Sequence, residues 1–192
     1  YMPRTVKVFF DSVTGFDNLE IGDADWQVIS VTNLHAVFAG SSIEQVDADN
    51  SLLTSLDVSG LPITDLFALQ SYDLTYLNVQ GCTSLEDTQL FSDNFQVLDF
   101  SGCTNLAYAD IGFNSNLDTV IIDDCPNLIS LDVYTSNLST ANVDYIINTI
   151  NNNGLTGGYL GLDGGTNGAP SGASAAALAN LTGPLGWSVD TN

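Results

Sequence analysis

Basic residues are nearly missing from this chain. Arg4 and Lys7 are its only two, set against 23 Asp and Glu over 192 residues, for a formal net charge of −21. Such a surface repels nucleic-acid phosphates and anionic lipid heads, so neither is an expected partner. It attracts cations or basic proteins, or it keeps the chain soluble in a saline medium, where the Debye length shrinks from about 8 Å at physiological salt toward about 3 Å at 1 M. Histidine is almost as scarce. The single one, His35, lies between Leu34 and Ala36 and reads as a packing or surface residue. A Ser or Cys nucleophile needs a neighbouring base, so catalysis of that kind is not expected. Phosphate chemistry needs Lys, Arg or a glycine loop of defined spacing. Gly164-Gly165 has neither the Lys nor the spacing and reads as a turn. Carboxylates are so abundant that chance pairs are expected, and a pair alone does not point to glycoside cleavage. The sequence reads as that of a non-enzyme.

Long apolar runs are absent too. Nothing approaches the ~18 residues needed to cross a bilayer, so membrane insertion is not expected. The chain opens Tyr1-Met2, as expected of a processed, trimmed or tagged product, which leaves room for an upstream signal or domain. The length suits one domain with a sizeable core.

What is present is a repeat. Leu53-Thr-Ser-Leu56-Asp-Val58, Leu74-Thr-Tyr-Leu77-Asn-Val79, Phe95-Gln-Val-Leu98-Asp-Phe100 and Leu117-Asp-Thr-Val120-Ile-Ile122 share the pattern apolar-x-x-apolar-x-apolar. A second series falls halfway between, starting at Ile43, Thr64, Leu85, Leu106 and Leu128. Apolar-x-apolar is the signature of a short strand with one buried face. Two such strands in ~21 residues predict one coil of a parallel β-solenoid, each coil burying its apolar residues against the next. Ser59-Gly60, Gln80-Gly81 and Ser101-Gly102 supply the turns between strands. In this register Thr64 puts a polar residue at an apolar anchor and marks the weakest coil.

The runs Leu77-Asn-Val-Gln-Gly-Cys-Thr-Ser-Leu85 and Leu98-Asp-Phe-Ser-Gly-Cys-Thr-Asn-Leu106 resemble leucine-rich repeats. They are most similar to the short L-x-x-L-D-V-S-G-C-T-x-L variety of surface and phage-encoded proteins of aquatic and gut bacteria. The resemblance covers residues ~43–138. It implies a leucine-rich-repeat-like, β-rich solenoid and places Cys82, Cys103 and Cys125 at one repeat position, as a column of buried structural cysteines. With only one histidine in the chain, a thiolate metal site or nucleophile is not expected there.

The ends lie outside the repeat. Residues 1–42 read as an N-terminal cap or attachment segment, with strands at Thr5–Phe10 and Trp26–Val31 joined by the acidic stretch Asp17–Asp25. Asp17, Glu20, Asp23 and Asp25 surround Gly22 with hard oxygen ligands, a candidate calcium loop without the spacing of an EF-hand; a solvated acidic loop is the alternative. Residues 139–192 read as a C-terminal α/β cap. Ser139 or Thr140 caps a helix whose Val143, Ile146, Ile147 and Ile150 recur at helical spacing. A strand at Tyr159–Leu162, an alanine-rich helix near Ser174–Leu181 and a closing strand at Trp187–Val189 follow. The stretch Leu162-Asp-Gly-Gly-Thr-Asn, with Pro170-Ser and Gly186-Trp-Ser-Val, resembles a terminal module that follows such repeats in phage virion and tail-fibre-like proteins.

Two rows of outward residues form the candidate binding face. Asp57, Asn78, Asp99 and Ile121 make one; Asp47, Ala68, Gln89, Asp110 and Asp132 make the other. Tyr76, Tyr108 and Tyr134 supply flat contact area nearby. Such rows can hold cations, accept hydrogen bonds from sugar hydroxyls or meet a basic protein, although a solvent-facing strand must be polar in any case. The resemblance implies a non-catalytic virion surface protein of a bacteriophage (a fibre, decoration or host-recognition component) that contacts a protein partner in a larger assembly or a cell-surface glycan or receptor. A secreted or surface-anchored bacterial adhesion domain is the alternative.

Overall fold

In the computed structural model of the chain the described residues are 18–20, 43–49, 51, 53–91 and 94–192. They form a parallel β-solenoid of about four turns. The coils place strands on two sides. One side is an eight-stranded parallel sheet built from β1 (Asn18–Glu20), β2 (Gln45–Asp47), β4 (Asp65–Phe67), β6 (Asp87–Gln89), β8 (Tyr108–Asp110), β10 (Ser130–Asp132), β11 (Tyr159–Leu162) and β12 (Ser188–Thr191), in that spatial order. On the other side, β3 (Ser55–Asp57) pairs with β5 (Tyr76–Asn78), and β7 (Val97–Asp99) pairs with β9 (Thr119–Ile121). No ladder joins β5 to β7, and beside this gap Leu77 is only partly buried while Tyr76 and Val97 are exposed.

Each strand is three or four residues long because only its middle residue and the residue just after it must face inward. Val46, Leu66, Thr88, Ala109, Leu131 and Leu160 stack along the inside of the large sheet, and Leu56, Leu98 and Val120 face them from the other side. Thr88 joins this column at little cost, because its hydroxyl donates to Leu66 O one coil back, at 3.1 Å. Backbone bonds tie the coils where strands end: Ala68 N donates to Gln89 O at 2.9 Å, Leu90 N to Asp110 O at 2.8 Å and Ile111 N to Asp132 O at 2.8 Å.

The structure corrects the register of one coil. Ile63, rather than Thr64, is the apolar anchor, and Leu66 and Ala68 are the inward pair, all fully buried. Ala68 therefore leaves the outward row, and Phe67 takes its place opposite Asp47 and Gln89. A one-residue slip exchanges the two faces of a strand. Thr64 is a tie between coils, its hydroxyl donating to Glu44 O at 3.0 Å.

The corners carry a second set of ties. Cys82, Cys103 and Cys125 are buried, free thiols that donate to Val58 O, Val79 O and Phe100 O of the preceding coil, at 3.1, 3.6 and 3.1 Å. At the matching corner of the large sheet, Ser71 donates to Ala48 O at 2.7 Å, Asn114 to Leu90 O at 2.6 Å and Asn167 to Val133 O at 2.9 Å. All these residues do one thing: they satisfy a buried carbonyl that the ladder leaves over where the chain turns.

At the C-terminal end helices replace strands on the second side. Helix α1 (Thr140–Asn153) begins at Ser139, whose side chain accepts from Asn142 N, and ends at Gly154 in the left-handed region. It closes the edge of β9 with side chains. Asn142 accepts from Val120 N at 2.9 Å and donates to Val120 O at 3.0 Å, and Tyr145 OH accepts from Ile122 N at 3.0 Å. These bonds end the ladder and leave that edge no room for another strand. Helix α2 (Ala175–Thr182) packs on α1, and β10, α1, β11, α2 and β12 carry the large sheet two strands further. At the other end, Asn18–Glu20 forms β1 and pairs with β2, so a strand occupies part of the stretch expected to be a connecting acidic loop. The expected strands at Thr5–Phe10 and Trp26–Val31 lie outside the described residues.

Candidate functional site

The outward residues of the large sheet form two rows fixed by strand register. Asp87, Tyr108, Ser130 and Tyr159 make one row; Gln89, Asp110, Asp132 and Gly161 make the other. Adjacent rungs are separated by the ~4.8 Å of a β-ladder. Together with Ala109, all of these but Gly161 line a recess of about 300 Å³. The recess exists because small residues stand among large ones. Ser130 lies between the two tyrosines, and Gly161 leaves open the space into which the Asp132 carboxylate and Tyr159 hydroxyl reach. A Cβ at Gly161 would collide with both.

The turns that follow Asp110 and Asp132 carry aromatic rings. The Tyr134 ring lies over Gly112, where a Cβ would meet it at 2.5 Å, and meets Phe113 edge-on with ring centroids 4.6 Å apart. Phe113 is held at φ 56 in the turn after β8 and remains exposed. Tyr108 is 55% exposed, so its ring is free for contact.

The carboxylates have a structural duty first. Each Asp or Asn that ends a strand accepts the backbone N–H two residues on. Asp57 accepts from Ser59 N at 3.0 Å, Asn78 from Gln80 N at 3.1 Å, Asp99 from Ser101 N at 2.9 Å and Asp132 from Tyr134 N at 3.2 Å. These are Asx turns, and they account for the recurrence of Asp or Asn at this position. Each of these Asp residues uses one of its two oxygens in the turn.

The electrostatics of the recess differ from those of an open acidic surface. Burial raises the Asp132 carboxyl to about 6, with Asp110, Asp163 and Asp190 adding like charge. Burial also raises Asp110, and burial with Asp65 and Asp110 nearby raises Asp87. The Tyr159 hydroxyl, in hydrogen-bond reach of Asp190 and close to Asp132, is pushed to about 12 by burial first. Neither Arg4 nor Lys7 is among the described residues, so no described side chain offsets these charges with a Lys or Arg.

The structure divides the candidate face. Asp110 and Asp132 lie in the recess with Tyr108, whereas Asp57, Asn78 and Tyr76 lie on the β3–β5 pair and Asp99 on β7, on the other side of the solenoid. Tyr159, Asp87 and Asp190 were not singled out by sequence. Asp17, Asp23 and Asp25 of the candidate calcium loop lie outside the described residues, and Glu20 is placed only as the last residue of β1. Among the described residues no three His, Cys, Asp or Glu side chains converge as a metal site requires. No described helix is long and apolar enough to cross a membrane. The cysteine thiols are raised to about 11 or 12, chiefly by burial, which leaves them protonated at neutral pH. No family model, curated protein or solved structure matches this chain.

Proposed function

We propose that this chain is a non-catalytic recognition module that meets a protein or glycan partner through the recess on its eight-stranded sheet. The observation that carries the reading is the recess itself, which joins exposed tyrosine surface to half-buried carboxylates on a hydrogen-bonded ladder. A site built on stacked strands is rigid, so little ordering entropy is lost on binding. The runs that resemble short leucine-rich repeats support a place on a surface. The tail that resembles a phage terminal module favours a virion surface protein, in a fibre, a decoration or a host-recognition complex. The net charge of −21 fits such exposure in a saline medium.

Fractionation of the source culture on a density gradient tests the location. Enrichment of the chain in the particle band at a fixed copy ratio supports the virion reading. Recovery in the cell envelope or the medium, with none in particles, replaces it with a bacterial surface adhesion domain. Adsorption of labelled protein to the host surface tests the face. The Tyr108→Ala/Tyr159→Ala variant should adsorb at least ~10-fold less, as expected when central aromatic anchors are removed. Unchanged adsorption by a folded variant would reject the recess as the contact site.

A further inference from the structure

The recognition reading leaves the partner's chemistry open, and the recess constrains it. Its carboxylates outnumber any cation that the described chain brings to them. Asp110 and Asp132 stand on adjacent rungs, each with Oδ1 engaged by a turn N–H, from Gly112 at 3.5 Å and from Tyr134 at 3.2 Å. Each keeps its Oδ2 for a donor from outside. Asp87 lies on the next rung toward the N-terminal side, and Tyr108 and Tyr159 flank Ser130 from either side. The two tyrosines are two rungs apart, roughly 10 Å at the ladder spacing. Tyr108 keeps an exposed ring there, while the Tyr159 hydroxyl reaches over Gly161 toward Asp132 and Asp190.

We propose that the recess takes the guanidinium group of an arginine side chain carried on an extended segment of a partner protein; the proposal rests on the recognition reading above. Three features select guanidinium over other ligands. Charge complementarity comes first, because a neutral sugar would leave two crowded carboxylates without a counter-charge. Shape comes second: a flat fork with five N–H donors can bond two carboxylates on neighbouring rungs at once and lay its face on the exposed Tyr108 ring. Desolvation comes third. A guanidinium gives up its water more readily than a lysine ammonium, which suits a site whose carboxylates are themselves partly buried. Binding would also draw Asp132 into its ionised form, so affinity should fall as pH drops from 7 to 5.

The test is a calorimetric titration of the full chain with a capped tri-arginine peptide at low salt and at about 0.15 M salt. Its tri-lysine and tri-citrulline counterparts and a neutral oligosaccharide are titrated in parallel. Tri-arginine should bind 1:1, tri-lysine at least ~3-fold more weakly, and tri-citrulline not at all. Asp110→Asn/Asp132→Asn should weaken tri-arginine at least ~10-fold, and Tyr108→Ala roughly 3- to 10-fold. The exposed pair Asp73→Asn/Asp124→Asn removes the same charge outside the recess and should change affinity less than ~2-fold. Equal losses from the two double variants would reduce the effect to diffuse attraction and overturn the proposal, as would tri-citrulline binding as tightly as tri-arginine. Saturable binding of the neutral oligosaccharide, lost in Tyr108→Ala and kept in Asp110→Asn/Asp132→Asn, would overturn the guanidinium assignment while leaving the recess as a recognition face. If no probe binds and the recess variants adsorb to the host like the wild type, both readings fall. Thermal melts of each variant separate lost binding from lost folding.

Discussion

Replacing Asp132 by Asn should make the solenoid more stable at neutral pH. The carboxyl sits half-exposed in the recess, next to Asp110 on the neighbouring rung and near Asp163 and Asp190. Burial and like charge raise it to about 6, from the ~3.9 of an unfolded chain. Because the folded value is the higher one, the folded state holds the proton more tightly between pH ~4 and pH ~6. Stability from this group is fully present below ~4 and is lost as pH rises through about 6. At pH 7 the ionised group therefore costs stability, with a ceiling of roughly 3 kcal/mol from the difference between the two values. Solvent screens a half-exposed carboxylate, and about 1 kcal/mol is the realistic figure. Asn keeps the acceptor for Tyr134 N–H and removes the charge. For a chain of this size about 1 kcal/mol moves the midpoint by roughly 2–4 °C. Calorimetric melts between pH 4 and 8 at fixed ionic strength provide the assay. The wild type should gain Tm between pH 7 and pH 5, and the variant should melt higher at pH 7 and show a flatter profile. A variant that melts lower than wild type at pH 7, or that retains the same slope between pH 5 and 7, would refute the reasoning.

Three further outcomes follow from other parts of the fold. Phe100→Ala removes one of the largest fully buried side chains and should cost about 3–5 kcal/mol in urea denaturation; a loss under about 1 kcal/mol would mean the coil collapses around it. Asp144 accepts from Ser171 N at 2.8 Å, Ser171 Oγ at 2.5 Å and Ser174 Oγ, and these bonds hold its carboxyl below the usual range. Its stabilisation is present above its unfolded value and lost as pH falls through its folded one, so Asp144→Ala should destabilise by about 2–4 kcal/mol at pH 7 and speed amide exchange at Ser171. Full protection at that amide in the variant would contradict the assignment. Cys82, Cys103 and Cys125, raised to about 11 or 12, should resist a thiol reagent at pH 8 until the chain unfolds, and then react as three. Rapid labelling of the native protein would show that the column is open.

Much of the architecture is legible in the sequence because the period of ~21 residues is written in strand-sized pieces. The register failed at one coil for a physical reason. Leu66-Phe67-Ala68-Leu69 is apolar throughout, so alternation cannot say which residues face inward; the stacking partners Val46 and Thr88 decide it. The closing strand was displaced for another reason. Trp187 is held in the core with its indole N–H donating to Leu155 O at 2.7 Å, so the strand begins after it, at Ser188. The recess was only half legible. Asp110, Asp132 and Tyr108 follow the repeat, but Tyr159 comes 29 residues after Ser130, its ladder partner, because α1 occupies the intervening coil. Only the observation that Tyr159–Leu162 continues the same ladder would have brought that tyrosine to the site.

Repetition and function pull apart in this chain. The Asp or Asn that ends β2, β3, β5, β7, β8 and β10 recurs because it closes the turn that follows, so its recurrence says nothing about a ligand. Information about a partner must lie where the outward rows depart from the repeat. In the large sheet these departures are Phe67 at a position held by Asp in β2, β8 and β10, then Tyr108 and Tyr159 on either side of Ser130, and Gly161 between Asp132 and Asp190. Three of the four fall within two rungs of one another, on β8 and β11. A surface selected for solubility alone has no need of two tyrosines on the rungs either side of a serine. The departures, more than the acidity, are the reason to look for a partner on this side of the solenoid.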